Sequence, residues 1–261
     1  MAIVKRQTEY ELREEILRIG RLMWERGYVA ATDGNISARF GSDRLLVTAS
    51  GYSKGFLTAD NVLILDLEGR PAGGYRGRGE RPSSEILMHL EVYRQRPEVQ
   101  AVIHAHPPLA TAFSIAGVSL ARCVIPEVIV TLGGIPTTDY ATPSTQEVPE
   151  SIRQAIKHYD AIIMSHHGSL TVGRDLWEAY LRLEKVEHTA QITLAAHQLG
   201  HVGTLSPDDV ARLAEMRRTR LQSEGRDLCE GCTICTIDDT PILGRTSAPG
   251  EGTSGRERTG E

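Results

Sequence analysis

Two histidines, His104 and His106, stand one residue apart at the end of an apolar, β-branched run, and two prolines follow them. Residues i and i+2 of a strand point to the same face, so both imidazoles are expected on one side of a sheet. Two such imidazoles could share one metal ion, although so short a pair also occurs as solvated histidines at a loop entrance. Pro107 and Pro108 lack backbone donors, which ends the strand and suits the first turn of a helix. The pair is therefore predicted at the carboxyl end of a strand, where α/β proteins usually carry their sites.

A second apolar run, at 161–164, ends just before His166 and His167 and is predicted as another buried strand. Three protein ligands with an open fourth position describe a catalytic zinc site, so a third histidine here would complete one. Alternation sends one member of the adjacent pair inward and the other away, and the sequence leaves open which is the ligand. Four other histidines are interpreted as structural residues on helices, namely His89, His158, His188 and His197.

A carboxylate and two hydroxyls precede the first histidine pair at a predicted helix start. Glu85 could join the metal or move protons, or it could be a first-turn carboxylate that interacts favourably with the helix dipole. Ser83 and Ser84, with the free N–H groups of that helix end, form a candidate anion site. Further donors could come from turn residues elsewhere, each of which alone is more often a cap or turn residue: Asn35, Ser50 and Gly51.

The elements that must position these residues follow from hydrophobic periodicity and end signals. Helices are predicted at 9–26, 83–96, 107–116, 144–158, 175–199 and 206–221. Ser83 and Asp175 are predicted as N-caps, and Ser144 with Glu147 fits a capping box. Besides the histidine-bearing strand and 161–164, strands are predicted at 35–39, 44–48 and 62–66.

Composition narrows the class of protein. The 261 residues are 40% hydrophobic and 24% charged with a net charge of -5, which argues against nucleic acid or an anionic membrane as the main partner. The first residues lack the apolar core of a signal peptide and no run approaches a membrane span, so we expect a cytoplasmic protein with reduced thiols. The loop around Ser50 lacks phosphate-loop spacing, which excludes a nucleoside triphosphate site of that kind.

Two regions are expected, a domain at 1–221 and a largely disordered tail at 222–261 that is rich in Gly, Ser, Thr, Arg and Glu. The tail carries Cys229, Cys232 and Cys235. Three thiolates could hold zinc, or an iron–sulfur cluster, only with a further donor. A mobile, thiol-rich tail is therefore the preferred interpretation.

Five motifs, in this order, resemble the class II aldolase/adducin family over about residues 8–220: Gly34-Asn35-Ile36-Ser37, Thr48-Ala49-Ser50-Gly51, Pro82-Ser83-Ser84-Glu85, His104-Ala105-His106 and His166-His167-Gly168. Together they are specific to the family and much less specific to one of its reactions. The resemblance implies a three-layer α/β/α sandwich around a largely antiparallel central sheet. It also implies a homotetramer with active sites at subunit interfaces.

Residue roles carry over from the same motifs. The resemblance implies that His104, His106 and His167 bind zinc and that Glu85 is the fourth ligand, becoming the acid/base once substrate displaces it. It also implies a set of residues that hold substrate phosphate: Asn35, Ser50, Gly51, Ser83 and Ser84. In retro-aldol cleavage, zinc acts as a Lewis acid toward the enediolate that the broken carbon–carbon bond leaves behind.

Glu127 departs from the pattern of the L-fuculose-phosphate enzymes, in which a tyrosine from a neighbouring subunit transfers the proton of the substrate hydroxyl beside the bond that breaks. A carboxyl group can also transfer a proton, provided that its pKa is raised. Other branches of the family look similar in carrying an acid at this position. The plain alternative is an exposed loop carboxylate.

These observations predict a zinc-dependent aldolase that cleaves a phosphoketose, such as L-fuculose 1-phosphate or a 5-deoxypentulose 1-phosphate, into dihydroxyacetone phosphate and an aldehyde. Alternatives within the family are a methylthioribulose-1-phosphate dehydratase, a sugar-phosphate 4-epimerase and a decarboxylase. A non-catalytic, adducin-like binding module is a different class of protein, and it has no need of the zinc ligands.

Overall fold

A seven-stranded sheet forms the middle layer of the protein, whose computed structural model describes residues 7–72 and 80–223. The strands run in the order β3-β2-β1-β4-β7-β6-β5, and every described pairing is antiparallel except the parallel pair β5–β6. Their bounds are β1 Asn35–Phe40, β2 Arg44–Thr48, β3 Val62–Asp66, β4 Ala101–Ala105, β5 Thr137–Thr138, β6 Ala161–Met164 and β7 Gly168–Gly173. The expected largely antiparallel sheet is confirmed.

Helices cover both faces of this sheet, and the alternation of apolar side chains along its strands explains why. In β4, Val102 packs into one core with the helices at 86–95, 147–152 and 155–158, while the next residue, Ile103, packs into another core with the helices at 9–25 and 176–198. A strand buried on both faces reads as a continuous apolar run rather than an alternating one. The helices are α1 Glu9–Glu25, α2 Ile86–Gln95, α3 Pro108–Ile115, α4 Pro126–Leu132, α5 Glu147–Ile152, α6 Ala155–His158, α7 Leu176–Gln198 and α8 Pro207–Ser223. The expected α/β/α layering is confirmed.

Two predicted helix starts are wrong. Glu85, not Ser83, occupies the N-cap position of α2, and the Ser83 Oγ accepts a hydrogen bond from the Glu85 backbone N–H within the preceding turn. Ser144 lies at φ 65°, a left-handed conformation that does not lead into a helix, so its capping box does not form. The Glu147 carboxylate instead accepts from the backbone N–H of Thr142, and the predicted single helix is two short ones.

Two other predicted helix starts are confirmed, whereas some short elements were not predicted from the sequence. Asp175 caps α7 by accepting a hydrogen bond from the Glu178 N–H, and α8 begins at Pro207. The short elements α4, β5 and β7 were not predicted. Among the described helices, none is long and apolar enough to cross a membrane. Cys229, Cys232 and Cys235 lie outside the described residues, so the disorder of the tail at 222–261 remains a prediction.

Three chain ends meet at one edge of the sheet. Because β7 is antiparallel to both β4 and β6, those two strands run in the same direction and end at the same edge. Strand β1 begins there, with Asn35 paired opposite His104. Strand pairing therefore brings together the histidines at the ends of β4 and β6, as expected from the sequence.

Gly168, at the start of β7, lies against the backbone of β4 at this edge. A Cβ atom at Gly168 would clash with the carbonyl oxygen of Ala105 and lie 2.5 Å from Cδ2 of His106. We expect Gly168→Ala to lower the free energy of unfolding by about 1–3 kcal/mol, the usual cost of overpacking a filled interior. Gly203→Ala is the matched control, since its Cβ would meet only ordinary contacts at 3.7 Å or more. Urea denaturation checks both, and equal stabilities would contradict the clash.

His89 is a fully buried histidine on α2 whose Nδ1 lies 2.7 Å from the hydroxyl of Ser37. Burial lowers the pKa of His89 to about 3, against an opposing effect of Glu85. The folded protein then binds fewer protons than the unfolded chain between about pH 3 and 6.5, so this contribution is present above pH 6.5 and is lost on acidification.

We therefore expect the wild type to lose up to about 1.4 kcal/mol of unfolding free energy per pH unit more than His89→Gln as the pH falls from 6.5. Urea denaturation at pH 7, 6 and 5 measures the difference between the two proteins. Parallel losses would show that His89 does not carry this part of the pH dependence.

Candidate metal centre and anion site

Three imidazoles form the centre of the site. The ligand atoms of His104, His106 and His167 all lie within 4.8 Å of one another, and the Nε2 atoms of His104 and His106 are 2.9 Å apart. The ring centroids are separated by 4.7–5.3 Å. The structure thus brings together the three histidines that the resemblance singles out.

Hydrogen bonding at His104 aims its free nitrogen at the cluster. Its Nδ1 lies 2.9 Å from the carbonyl oxygen of Ser169, which can only accept, so Nδ1 carries the proton. Nε2 then presents its lone pair toward the other two histidines. Complete burial lowers the pKa of His104 to about 3, with Glu85 opposing, so the ring is neutral in the form that binds metals.

The turn between β6 and β7 decides between the two adjacent histidines. His166 lies at φ 58° and is exposed, its Nδ1 3.0 Å from the hydroxyl of Ser165. His167 is held by a bond from its N–H to the carbonyl of Met164 and turns its ring inward. Only His167, and not His166, joins His104 and His106.

Glu85 closes the open side of the three imidazoles. Its Oε1 lies 2.9 Å from His167 Nε2, and its Oε2 lies 3.3 Å from His104 Nε2 and accepts a 2.9 Å bond from the Asn35 amide. Burial by itself raises the pKa of Glu85, but the hydrogen bond from His167 and the surrounding imidazoles outweigh it and lower the pKa to about 2. The side chain is therefore an ionised carboxylate.

The donor set fits a zinc ion. Three imidazole nitrogens and one carboxylate are ligands that zinc takes in proteins, and tetrahedral bonds of about 2.1 Å separate ligand atoms by about 3.4 Å. The measured separations of 2.9 Å and 3.3 Å lie near that value. The ligand atoms of the three imidazoles, which lie within 4.8 Å of one another, would have to move closer together to complete the geometry.

Hydroxyl and amide groups line the space beside Glu85. The Asn35 Nδ2 donates to Ser83 Oγ at 3.3 Å, and its buried Oδ1 has no partner among the described residues, so the amide keeps bonding capacity for a ligand. The exposed Ser84 hydroxyl lies 2.7 Å from the hydroxyl of Ser144. Backbone pairing brings the second predicted loop alongside, since Ser50 N–H donates to the carbonyl of Arg81. Gly51 follows at φ 84°.

Glu127 lies elsewhere. It is exposed in the first turn of α4 and lines a cavity of about 940 Å³ formed with α7 and α8. None of the three clustered histidines lines this cavity, whose other residues include Tyr28, Trp177 and Ile192. The structure therefore leaves Glu127 apart from the three histidines of its own chain.

Three residues near the site were not singled out from the sequence. Asp33 Oδ2 lies 3.6 Å from His106 Nδ1, Lys54 is almost wholly buried with its ammonium on two backbone carbonyls, and Ser144 touches Ser84. Burial lowers the pKa of Lys54 to about 8. Of the three, only Asp33 could have been found from the sequence, because its carboxylate directly precedes the Gly34-Asn35 motif.

Comparisons with known proteins agree with this geometry. Residues 14–194 match the family described as Class II Aldolase and Adducin N-terminal domain. An L-fuculose phosphate aldolase from Methanococcus maripaludis is 35% identical over 185 residues, covering 71% of this chain and 97% of the relative. The crystal structure of YgbL from Escherichia coli superposes with a TM-score of 0.73 at 27% identity, covering 80% of this chain and 100% of that one.

Relatives with other reactions are nearly as similar. A methylthioribulose-1-phosphate dehydratase from Methylococcus capsulatus is 32% identical over 206 residues, covering 73% of this chain and 97% of the relative. A 3-oxo-tetronate 4-phosphate decarboxylase from Haemophilus influenzae is 30% identical over 189 residues, covering 71% and 88%. Identity at this level establishes the family and not the reaction. The sheet, the histidine cluster and these matches together show that the chain belongs to the class II aldolase/adducin family.

Proposed function

We propose that this protein is a zinc-dependent aldolase that cleaves a phosphoketose, such as L-fuculose 1-phosphate or a related 5-deoxypentulose 1-phosphate, into dihydroxyacetone phosphate and an aldehyde. Family membership supports a lyase of this superfamily. The observation that carries the proposal is the cluster of three imidazoles closed by the carboxylate of Glu85. His104, His106 and His167 are the proposed zinc ligands, with Glu85 as the fourth.

Glu85 is the proposed acid/base. When bound, zinc supplies Lewis-acid stabilisation for negative charge that develops on the substrate oxygens. Glu85, displaced from the cluster by substrate, holds or returns the proton at the substrate carbon. Its contact with Asn35 keeps the carboxylate beside the reacting atoms rather than in solvent. A carboxylate with a low pKa in the resting site becomes more basic once it leaves the imidazoles.

The substrate phosphate is proposed to bind on the hydroxyl and amide side of the site, and the geometry of that side supports the assignment. The donors are neutral side chains and backbone N–H groups close to the amino end of α2, which favours an anion. Binding the phosphate at a distance from the bond that breaks fixes the orientation of the substrate. The proposed set is Asn35, Ser50, Gly51, Ser83 and Ser84.

We also propose a homotetramer in which Glu127 reaches the site of a neighbouring subunit and accepts the proton that the C4 hydroxyl of the substrate loses in cleavage. Its position on the outer turn of α4, away from the histidines of its own chain, supports this arrangement. Exposed apolar side chains on the adjacent face of α7, Trp177, Leu181 and Ile192, are the kind that a subunit contact would cover.

The dehydratase and the decarboxylase are the second candidates, favoured by relatives of 32% and 30% identity. A 4-epimerase would use the same cluster. The non-catalytic binding module is disfavoured because it would leave three histidines and a carboxylate gathered without purpose.

The deciding experiment is a coupled assay for dihydroxyacetone phosphate with fuculose, rhamnulose, ribulose, 5-deoxyribulose and methylthioribulose 1-phosphates. We expect release from one of them that is lost in a chelator and restored by zinc, because the Lewis acid is required for cleavage. Consumption of substrate without release would overturn the aldolase in favour of the dehydratase. Zinc-loaded protein without turnover on any of them would overturn a phosphoketose substrate.

For Glu127, we expect Glu127→Gln to slow turnover by about 100-fold or more, since an amide cannot transfer the proton, while the zinc content stays at the wild-type level. Glu150→Gln is the control, as Glu150 is another exposed carboxylate at a helix start, on α5. An unchanged rate would make Glu127 an ordinary surface residue.

Co-expression tests whether Glu127 acts across subunits. Hybrids of Glu127→Gln and His106→Ala chains contain sites with the histidines of one chain and the Glu127 of the other. We expect such hybrids to recover part of the activity that each variant lacks alone. Absence of recovery in purified hybrids would place Glu127 outside a shared site.

A further inference from the structure

We propose that Asp33 is a positioning residue that orients His106 for metal binding and strengthens its hold on the ion. This inference deepens the proposed zinc site and rests on it. Asp33 lies in the turn that precedes β1, and its Oδ2 is 3.6 Å from His106 Nδ1, on the side of the ring opposite the cluster. The Nε2 of the same ring faces His104 Nε2 at 2.9 Å.

The geometry gives His106 one nitrogen for the metal and one for a carboxylate. A ligating histidine almost always donates its second N–H to a carboxylate or a carbonyl, which fixes the tautomer and makes the ligating nitrogen more basic. His104 has such a partner in the carbonyl of Ser169. Asp33 is the corresponding partner for His106, at a distance within ion-pair range and only about 0.4 Å beyond an ordinary hydrogen bond.

The backbone around Asp33 is held in place while its side chain stays adjustable. Lys54, which is 2% exposed, donates from Nζ to the carbonyl of Thr32 at 2.9 Å and so fixes the residue before Asp33. On the other side, Gly34 lies at φ 73°, and a Cβ there would be 2.9 Å from the carbonyl oxygen of His104. The Asp33 side chain is 49% exposed, so a small rotation can close its contact with His106.

The same turn reaches a second proposed ligand. Asn35, two residues after Asp33, donates to Glu85 Oε2 at 2.9 Å. One short segment, Thr32 to Asn35, thus contacts both His106 and Glu85.

The test is the zinc dissociation constant, measured by competition with a chromophoric chelator, for the wild type, Asp33→Asn and Asp33→Ala. Loss of such a partner typically weakens metal binding by about 10–100-fold, and we expect that change in both variants. The visible spectrum of the cobalt(II)-substituted protein should shift in the same variants, because the orientation of His106 changes. Asp33→Glu, which keeps the carboxylate, should retain most of the affinity.

Asp43→Asn is the matched control, since Asp43 is an exposed carboxylate paired only with Arg44 among the described contacts, at 3.7 Å. His106→Ala sets the level expected for loss of a ligand. Thermal unfolding of the metal-free proteins separates positioning from a fold defect, and equal melting temperatures are expected. Wild-type affinity in both Asp33 variants would overturn this inference, whereas a wild-type protein that binds no zinc would overturn the proposed site itself.

Discussion

Backbone pairing along β1, β4, β7 and β6 is the constraint on which the site depends. Each of these strands contributes one end to the same edge of the sheet, and the register sets Asn35 opposite His104 and Ala105 opposite Ser169. The side chains that gather there come from positions up to about 130 residues apart in the chain. His104 and Asn35 lie on strands, and His106 and His167 lie next to strand ends, so the hydrogen-bonded sheet holds these residues better than free loops would.

Close packing at this edge leaves little space between the backbone segments that carry the site residues. Gly34 and Gly168 both lie against the backbone that carries the first histidine pair, and neither has room for a methyl group. Burial lowers the pKa of His104 and favours the neutral imidazole, whereas at Glu85 burial raises the pKa but is outweighed by the hydrogen bond from His167 and the nearby imidazoles, so the carboxylate is ionised. Neutral nitrogens and one negative charge are the state in which such residues bind a divalent cation.

The residues of the site fall into two groups, the candidate metal ligands and the groups that contact those ligands from behind. The imidazoles and Glu85 face one another, and the carbonyl of Ser169 holds His104 while the amide of Asn35 holds Glu85. Asp33 lies near His106 at 3.6 Å. The side proposed to bind phosphate is more open, with exposed hydroxyls on turns rather than on strands. A rigid reaction centre with an adaptable rim is consistent with a family whose relatives carry several different reaction names.

The sequence by itself determined the elements with long, regular patterns and the identity of the motif residues. Apolar runs, caps such as Asp175 and breakers such as Pro107 depend on neighbours in the chain, so the strands before His104 and at 161–164 and the long helix α7 could be predicted. Only the tertiary structure chose His167 over His166, moved the start of α2 from Ser83 to Glu85 and brought Asp33 to His106. Each of these depends on a turn conformation or on a contact between segments distant in the chain, and such contacts leave no periodic signal in the sequence.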